Sequence, residues 1–327
     1  MLSSTLSWVG RLSPWLLISG LAYAAVFIKP TVNPHPLNQP LTERRDAFFD
    51  AAALDSSIWV VGQNGAMLST PDAGDSWNRE ELPQRINLQS VAVSDSGRLV
   101  VIGNHGRIWT RAGAQDWQEH QLPVDEYAGK LLSVSYIGGQ FWVAGEMGVL
   151  FRGNADASEW HPLGTGEDVT FNSVRVGANG DLWIAAEFGQ LLRSGDQGQS
   201  WTKYELGSES LRAIAFDGAT GMAVGNRGEA YLTRDGGDSW TPIAKFTSEH
   251  LFDVVVHDGQ WIVTGDRGAL LRSSNPESGW QTWTPKGLDK SYHSRLLSMP
   301  EGVLLVGQQI GLLEQDELKI WPSEREK

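Results

Sequence analysis

Short apolar segments separated by glycine-containing turns recur along the whole chain. Each repeat has an apolar strand that ends in Gly-x-x-Gly and is followed by a second apolar strand, as in WVVGQNGAML from Trp59. The first position of this tetrapeptide falls at residues 62, 103, 145, 186, 225, 265 and 307, where residue 186 is an alanine. The spacings are therefore 41, 42, 41, 39, 40 and 42 residues, which are typical of propeller blades.

Each repeat divides into four strands. In the second repeat they are LQSVAVS, RLVVIG, RIWTR and WQEHQLP, and such short connections allow only antiparallel hairpins. Alternation of apolar and polar positions is imperfect, as expected for strands that are buried on both faces between blades. The pattern predicts an all-β fold, a seven-bladed β-propeller of four-stranded antiparallel blades over residues 46–327. The last repeat has its own fourth strand, ELKIWPS, so closure of the ring does not require a strand from the N-terminus.

The N-terminal pattern is different. Leu12 to Ile28 is an uncharged run of 17 residues, which is the lower limit for a membrane-spanning helix. Ala22-Tyr23-Ala24 resembles a signal-peptide cleavage site, but the apolar run continues beyond it, which favours a retained anchor. Prolines at 30, 34, 36 and 40 then predict an extended spacer. We expect a signal-anchor or signal peptide over 1–28 and a Pro-rich linker over 29–45.

This arrangement predicts a propeller in the periplasm that is anchored at the inner membrane, or secreted to the periplasm if the leader is cleaved. The net charge is −13, which disfavours binding to a nucleic-acid backbone. Cysteine is absent, which excludes disulfides, thiolate metal sites and a cysteine nucleophile. The seven histidines show no HExxH and no paired spacing, so neither a metal nor a cofactor is predicted.

Three repeats contain a complete Ser/Thr-x-Asp-x-Gly-x-x-Trp sequence, such as TPDAGDSW from Thr70 to Trp77. In such a turn the aspartate accepts hydrogen bonds from amides, glycine adopts a backbone conformation that other residues resist, and tryptophan packs on the sheets. A catalytic acid is needed once per site, whereas these aspartates recur with the repeat, which indicates a structural role. The predicted structural residues are Asp72, Gly74, Trp77, Asp196, Gly198, Trp201, Asp235, Gly237 and Trp240.

This turn resembles the Asp box of BNR-type repeats. Together with Gly-x-x-Gly two strands earlier, as in VGNRGEAYLTRDGGDSW from Val224 to Trp240, the repeat resembles the photosystem II assembly factor family known as Ycf48 or Hcf136. The resemblance covers about residues 46 to 321. It implies a non-catalytic seven-bladed propeller that binds nascent or partly assembled membrane proteins through arginines on one face.

The chain lacks the lipobox cysteine of cyanobacterial members and a chloroplast-type transit peptide. A non-photosynthetic bacterial member is therefore expected, of the kind that resembles accessory proteins of export or RND-type transporter systems. The predicted function is a scaffold or assembly factor for a membrane protein complex.

Two alternatives remain at this point. A BNR or sialidase-like glycoside hydrolase would need three converging arginines, a tyrosine and glutamate pair and an aspartic acid. Tyr204, Tyr231 and Tyr292 are available, but the Phe/Tyr-Arg-Ile-Pro signature of sialidases is missing. The second alternative is a propeller that senses a soluble ligand.

In a propeller, the turns between second and third strands open on the same face as the connections between blades, and the Asp boxes lie on the other face. The first of these faces is the predicted partner-binding face. Connections between blades are expected to contribute Arg85, Lys130, Arg212, His250, His293 and Arg295 to it.

Glutamates in consecutive blades and arginines in blades five and six would orient a partner electrostatically. The alternative is that these are solvated turn residues. The predicted partner-binding residues are Arg212, Arg227, Arg267, Arg295, Glu146, Glu187, Asp266 and His105.

Overall fold

A computed structural model describes residues 14–23, 41–43, 45–125 and 129–322. The chain divides into two compact units, Met1–Pro40 and Leu41–Lys327. In the first unit, residues 14–23 form helix α1, whose apolar side chains are exposed. No helix among the described residues has both the length and the apolar character needed to cross a membrane. The predicted boundary between residues 28 and 29 lies outside the described residues.

The second unit contains 28 described strands, four for each repeat. The first strands of the blades are β1 Phe48–Leu54, β5 Leu88–Val93, β9 Leu131–Ile137, β13 Phe171–Val176, β17 Leu211–Asp217, β21 Leu251–His257 and β25 His293–Met299. The second strands are β2 Ser57–Gly62, β6 Arg98–Gly103, β10 Gln140–Gly145, β14 Leu182–Ala186, β18 Thr220–Gly225, β22 Gln260–Gly265 and β26 Gly302–Gly307. The third strands are β3 Met67–Thr70, β7 Arg107–Ala112, β11 Leu150–Gly153, β15 Gln190–Ser194, β19 Ala230–Thr233, β23 Leu270–Ser273 and β27 Ile310–Glu314. The fourth strands are β4 Asn78–Glu80, β8 Gln118–Gln121, β12 Trp160–Pro162, β16 Thr202–Glu205, β20 Thr241–Pro242, β24 Gln281–Thr282 and β28 Glu317–Trp321.

The strands form seven four-stranded antiparallel sheets, each made of consecutive strands, and this confirms the predicted seven-bladed propeller. The first strands of neighbouring blades contact one another around the ring, so they line a central channel. The last blade is completed by its own fourth strand, β28, as the sequence predicted. Blades seven and one meet through an apolar cluster that includes Phe48, Ile58, Leu304 and Ile310.

Burial explains why the apolar pattern is nearly continuous in the second strands. In β14, Leu182–Ala186, every residue is buried, because both faces of this strand pack against a neighbouring sheet. The fourth strands are exposed at the outer edge, as the mostly polar β8 shows. The core is therefore a series of apolar layers between successive blades.

Gly-x-x-Gly forms the turn between the second and third strands. In blade five, Glu229 N–H donates to Asn226 O over 3.1 Å, and Arg227 and Gly228 both have positive φ, of 53° and 72°. Two positive φ values define a type I′ turn, whose twist matches that of the flanking strands. A Cβ added at Gly228 would lie 2.0 Å from Thr247 O in the connection to the next blade, so only glycine fits.

The first glycine of the tetrapeptide has a separate role. A Cβ at Gly225 would lie 2.3 Å from Ser210 O, at the start of the first strand of the same blade. Ser210 O also accepts a hydrogen bond from Asn226 N–H at 2.9 Å. The turn is therefore attached to the entry of the first strand, so the Gly-x-x-Gly turns and the blade connections share one end of the ring, the Gly-x-x-Gly face.

The Asp boxes lie at the opposite end, the Asp-box face, where Ala73 N–H donates to Ser56 O in the first hairpin of the same blade. Asp72 accepts hydrogen bonds from Ser76 N–H at 2.8 Å and from Thr70 Oγ1 at 2.7 Å. Asp196 and Asp235 make equivalent bonds.

Each Asp-box glycine packs on a tryptophan of the preceding blade around the ring. Added Cβ atoms at Gly74, Gly198 and Gly237 would lie 2.4, 2.9 and 2.2 Å from the rings of Trp321, Trp142 and Trp183. All three glycines have positive φ. The Asp box therefore fixes both a turn and the contact between two blades.

Candidate functional site

In blades one to six, the Gly-x-x-Gly face presents one side chain from a left-handed position of the turn. These six residues have φ between 52° and 60°, a conformation that is uncommon for bulky residues. Such positions often occur at functional sites. In chain order they are Asn64, His105, Met147, Phe188, Arg227 and Arg267.

These side chains divide the face into two chemical regions. Met147 and Phe188, in blades three and four, are 50% and 62% exposed although both are apolar. Arg227 and Arg267, in blades five and six, have side chains that are 70% and 77% exposed. We call the first pair the apolar pair and the second the arginine pair.

The arginine pair is held by glutamates from the blade connections. Arg227 Nη1 lies 3.2 Å from Glu209 Oε1, and Arg267 Nη1 lies 3.6 Å from Glu249 Oε2. Ion pairs at such exposed positions contribute little to stability, so a partner's carboxylate can replace the glutamate at little cost. His105 is also exposed on this face, in blade two.

Beside the apolar pair, Glu146 and Glu187 precede Met147 and Phe188 and are half-buried. Glu187 Oε2 accepts a hydrogen bond from Thr170 N–H at 3.1 Å. Asp266 precedes Arg267, and its Oδ1 accepts that residue's backbone N–H at 2.8 Å. Glu146 and Glu187 therefore lie on the turns of blades three and four, and Arg227, Asp266 and Arg267 on those of blades five and six.

The centre of this face is the mouth of the channel. The first strand of every blade has a bulge at its second residue, where the pairing register shifts. Bulges redirect side chains, and several of these residues line the cavity at the mouth. The bulged residues are Phe49, Gln89, Leu132, Asn172, Arg212, Phe252 and Ser294.

The cavity at the mouth has a volume of about 440 Å³, within the range of small-ligand sites. Its lining residues are Leu132, Asn172, Arg212, Phe252, Asp266, Tyr292 and Ser294. Arg212 belongs to strand β17 and not to a blade connection, so that part of the sequence prediction is wrong. Burial lowers the pKa of Arg212, and the negative charge of Glu187 partly offsets this effect.

Arg295 lies deeper in the channel, and this corrects its predicted place on the partner-binding face. Its Nη1 donates to Asp253 Oδ2 at 2.9 Å, and its Nε lies 2.9 Å from Asp50 Oδ1 at an angle unsuited to a hydrogen bond. Burial acts to lower the pKa of Arg295, but the two aspartates together raise it. The prediction was wrong because Arg295 lies in the first strand of its blade, where its side chain turns toward the axis of the channel.

Arg175 completes the charged floor of the channel. Its Nη1 donates to Val174 O at 3.0 Å, and burial together with the charge of Arg295 lowers its pKa to about 10. Two arginines and two aspartates thus balance one another inside the channel. Arg175, Asp50 and Asp253 were not among the predicted site residues, although each lies in the first strand of its repeat, a position that lines the channel.

His293 was also expected on the partner-binding face, but it is fully buried. It begins β25 at the position that Phe48 and Leu88 occupy in other blades. Burial lowers its pKa, and Nε2 lies 3.6 Å from Asp289 Oδ1. Apolar residues are buried at the equivalent position of other blades. His293 is therefore buried because the repeat places it there, although its side chain is polar.

The groups that a sialidase needs are not assembled in a sugar-sized space within the described residues. Arg175, Arg212 and Arg295 line one internal space, but its volume is only about 90 Å³, which corresponds to a few water molecules. Tyr231 does pair with a glutamate, donating to Glu229 Oε2 at 2.8 Å, but it does not line that space. Burial raises the pKa of Tyr231 to about 12, which disfavours its use as a nucleophile.

Comparisons with known proteins agree with this geometry. Residues 162–303, which include blades four to six, match the model of the photosynthesis system II assembly factor YCF48 family. A solved structure of YCF48 bound to a D1 peptide has 18% identity and a TM-score of 0.66, over 80% of this chain and 89% of that chain. Residues 162–303, a little under half of the chain's length, are therefore similar to the YCF48 family.

A second structure, YCF48 from Cyanidioschyzon merolae, has 16% identity and a TM-score of 0.64, over 80% of this chain and 92% of that chain. A streptogramin B lyase has 12% identity and a TM-score of 0.68, over 80% and 90% of the two chains. At these identities the structural likeness shows the fold alone. No curated protein matches the sequence significantly.

Proposed function

We propose that this Ycf48-like protein is a non-catalytic scaffold or assembly factor that docks a segment of a membrane protein on its Gly-x-x-Gly face. The observation that carries the proposal is the exposure of the apolar pair and the arginine pair on turns of that single face. Exposed aromatic and arginine side chains are the types that contribute most to protein interfaces.

The comparison with YCF48 supports this proposal from a different direction. A YCF48 structure contains a bound D1 peptide, so a propeller of this kind can bind a polypeptide segment. We infer the same class of partner for this chain, and we extend it to a subunit of an export or RND-type transporter system. The arginine pair favours a segment with acidic residues, and the apolar pair favours apolar residues beside them.

We further propose that the uncharged run from Leu12 to Ile28 holds the protein at the inner membrane, with the propeller in the periplasm. The exposed apolar side chains of α1 support this, since Trp15, Leu16 and Leu17 are 67%, 72% and 68% exposed. Fractionation of the full chain, with protease added to intact spheroplasts, tests the proposal. A propeller that is protected from the protease would contradict it.

The absence of catalysis is also part of the proposal. The channel floor supports it, because Asp50 and Asp253 are both paired with Arg295 and the space that they line is too small for a sugar. Hydrolysis of 4-methylumbelliferyl sialoside and related glycosides by the purified chain would contradict this proposal.

The docking test is a pull-down of the full chain from native membranes in mild detergent, followed by mass spectrometry. The double variant R227E/R267E should recover the partner about tenfold less well, because two favourable charge contacts become repulsive. The matched control is R234E, since Arg234 is 59% exposed and also ion-paired but belongs to the Asp-box turn of blade five. Equal recovery by the folded double variant and by wild type would remove this face from the proposal.

A further inference from the structure

The mouth of the channel contains a cation, Arg212, that has no carboxylate at contact distance among the described residues. Arg212 Nε donates to Asn226 Oδ1 at 3.1 Å, and its Nη1 donates to Asn172 Oδ1 at 3.2 Å. Both acceptors are neutral amides. Among the described residues, no carboxylate oxygen lies within 4 Å of the Arg212 guanidinium, and Nη2 donates no hydrogen bond.

The fold does not require an arginine at this position. The same bulged position holds uncharged residues in the other six blades. The charges below it are already balanced, because Arg175 and Arg295 stand with Asp50 and Asp253. A partly buried charge usually has a counter-charge, and here none of the described residues provides one at contact distance.

The surroundings hold the guanidinium in a fixed orientation. Asn172 donates from Nδ2 to Leu211 O at 2.7 Å and to Ser210 Oγ at 3.2 Å, and this fixes its Oδ1 toward Arg212. A guanidinium that is oriented in this way, with Nη2 free, suits a planar carboxylate. The position is therefore prepared for an anion before any ligand arrives.

The rest of the cavity limits what the anion is attached to. Leu132, Phe252 and the ring of Tyr292 provide an apolar wall. Asp266 lines the same cavity, so a second anionic group on the ligand would meet a carboxylate. The cavity thus matches one negative charge joined to an apolar group.

We propose that the channel mouth binds a single carboxylate joined to an apolar group, with Arg212 as the anion-binding residue and Leu132 and Phe252 as the apolar wall. The inference deepens the proposed function and rests on it in one respect, that the carboxylate comes from the docked polypeptide. Two sources have this chemistry, the C-terminal residue of a chain and an internal acidic side chain.

The test uses the full-length protein in mild detergent with ¹⁵N-labelled arginine, and it follows the Nε–H signal that disappears in Arg212→Gln. Three probes are titrated: N-acetyl-leucine, N-acetyl-leucinamide, and glutamate blocked at both its α-amino and α-carboxyl groups. We expect the Arg212 signal to shift with a dissociation constant on the order of millimolar for a carboxylate probe, since the probes are small. The uncharged amide should bind at least tenfold more weakly.

A stronger response to N-acetyl-leucine supports the site and assigns it to a chain end, and a stronger response to the blocked glutamate supports it and assigns an internal side chain. Arg212→Lys keeps the charge but loses the planar fork and the Nε–H signal, so its affinity is measured by isothermal titration calorimetry beside wild type. We expect it to fall severalfold, and this comparison does not depend on the folding of Arg212→Gln. Arg234→Gln, on the Asp-box face, should leave the titration unchanged. Equal binding of acid and amide, or no shift at tens of millimolar of any probe, would overturn the inference.

These titrations involve no protein partner, whereas the docking test uses R227E/R267E with Arg212 intact. The carboxylate site can therefore fail while the face still captures a membrane protein, and the reverse outcome is equally visible.

Discussion

Arg295 of the last blade lies 2.9 Å from Asp50 of the first, and this ion pair crosses the seam at which the ring closes. The same guanidinium binds Asp253 of blade six, so one side chain connects three blades at the axis. Ser294 Oγ adds a hydrogen bond to Phe48 O at 3.1 Å. Closure thus depends on side chains and apolar packing, without a strand shared between the chain ends.

The first prediction concerns this axial contact. Arg295→Met should lower the free energy of unfolding by about 3–5 kcal/mol, because buried Asp253 and partly buried Asp50 lose the cation that contacts them both. Urea unfolding of the full chain measures the change. The control is the triple variant with Asp50→Asn and Asp253→Asn added, which should recover a large part of the loss. A single variant as stable as wild type would show that the apolar seam alone closes the ring.

The second prediction concerns acid. Ser76 and Thr70 hold the pKa of Asp72 at about 2, and Ser200 and Ser194 hold that of Asp196 at about 2, below the ordinary value of 3.8. Because the folded-state pKa is lowered, the stabilisation is present above pH 3.8 and is lost as the pH falls toward 2. Melting temperatures measured between pH 5 and pH 2 should fall less steeply in the double variant D72N/D196N. An identical slope in the variant would contradict the assigned role of these bonds.

The third prediction concerns the turn that presents Arg227. Gly228→Ala should cost at least about 1 kcal/mol from its left-handed backbone alone. It should also displace the connection at Thr247, whose carbonyl oxygen lies 2.0 Å from the added Cβ. The control is Gly218→Ala, where φ is also positive but nothing lies within 4 Å. If thermal unfolding shows equal losses for both variants, the close packing of the turn has no energetic role.

The fourth prediction concerns the apolar pair. M147S/F188S should weaken capture of the partner about tenfold without lowering the melting temperature, because both side chains are exposed in the free protein. Quantitative pull-down measures the first effect and scanning calorimetry the second. Val176→Ser is a matched control, since Val176 is 48% exposed at the end of β13, away from the Gly-x-x-Gly turns. Unchanged capture by the double variant would limit docking to the arginine pair.

The fold was predictable because a repeat supplies seven independent observations of one unit. The spacing of the glycines predicted the hairpins between strands. The fourth strand of the last repeat, Glu317–Trp321, predicted that the ring closes without a strand from the N-terminus. The exposed positions of Arg227 and Arg267 also followed from the repeat, since they occupy the same place in neighbouring turns.

The channel was not predictable in the same way. Whether Arg212 or Arg295 faces a partner depends on a bulge that shifts the register by one residue, and the sequence carries no distinct sign of that bulge. The ion pair of Arg295 with Asp50 joins the last blade to the first, and these two residues come together only when the ring closes.

Because every blade consists of four consecutive strands, one repeat of the gene corresponds to one complete structural unit. Duplication or loss of a stretch of about forty residues would add or remove a whole blade and leave no strand without its neighbour. In a ring that is closed by an exchanged strand, the same event would have to preserve both chain ends. The side-chain seam at Arg295 therefore makes this architecture well suited to change by recombination of entire blades.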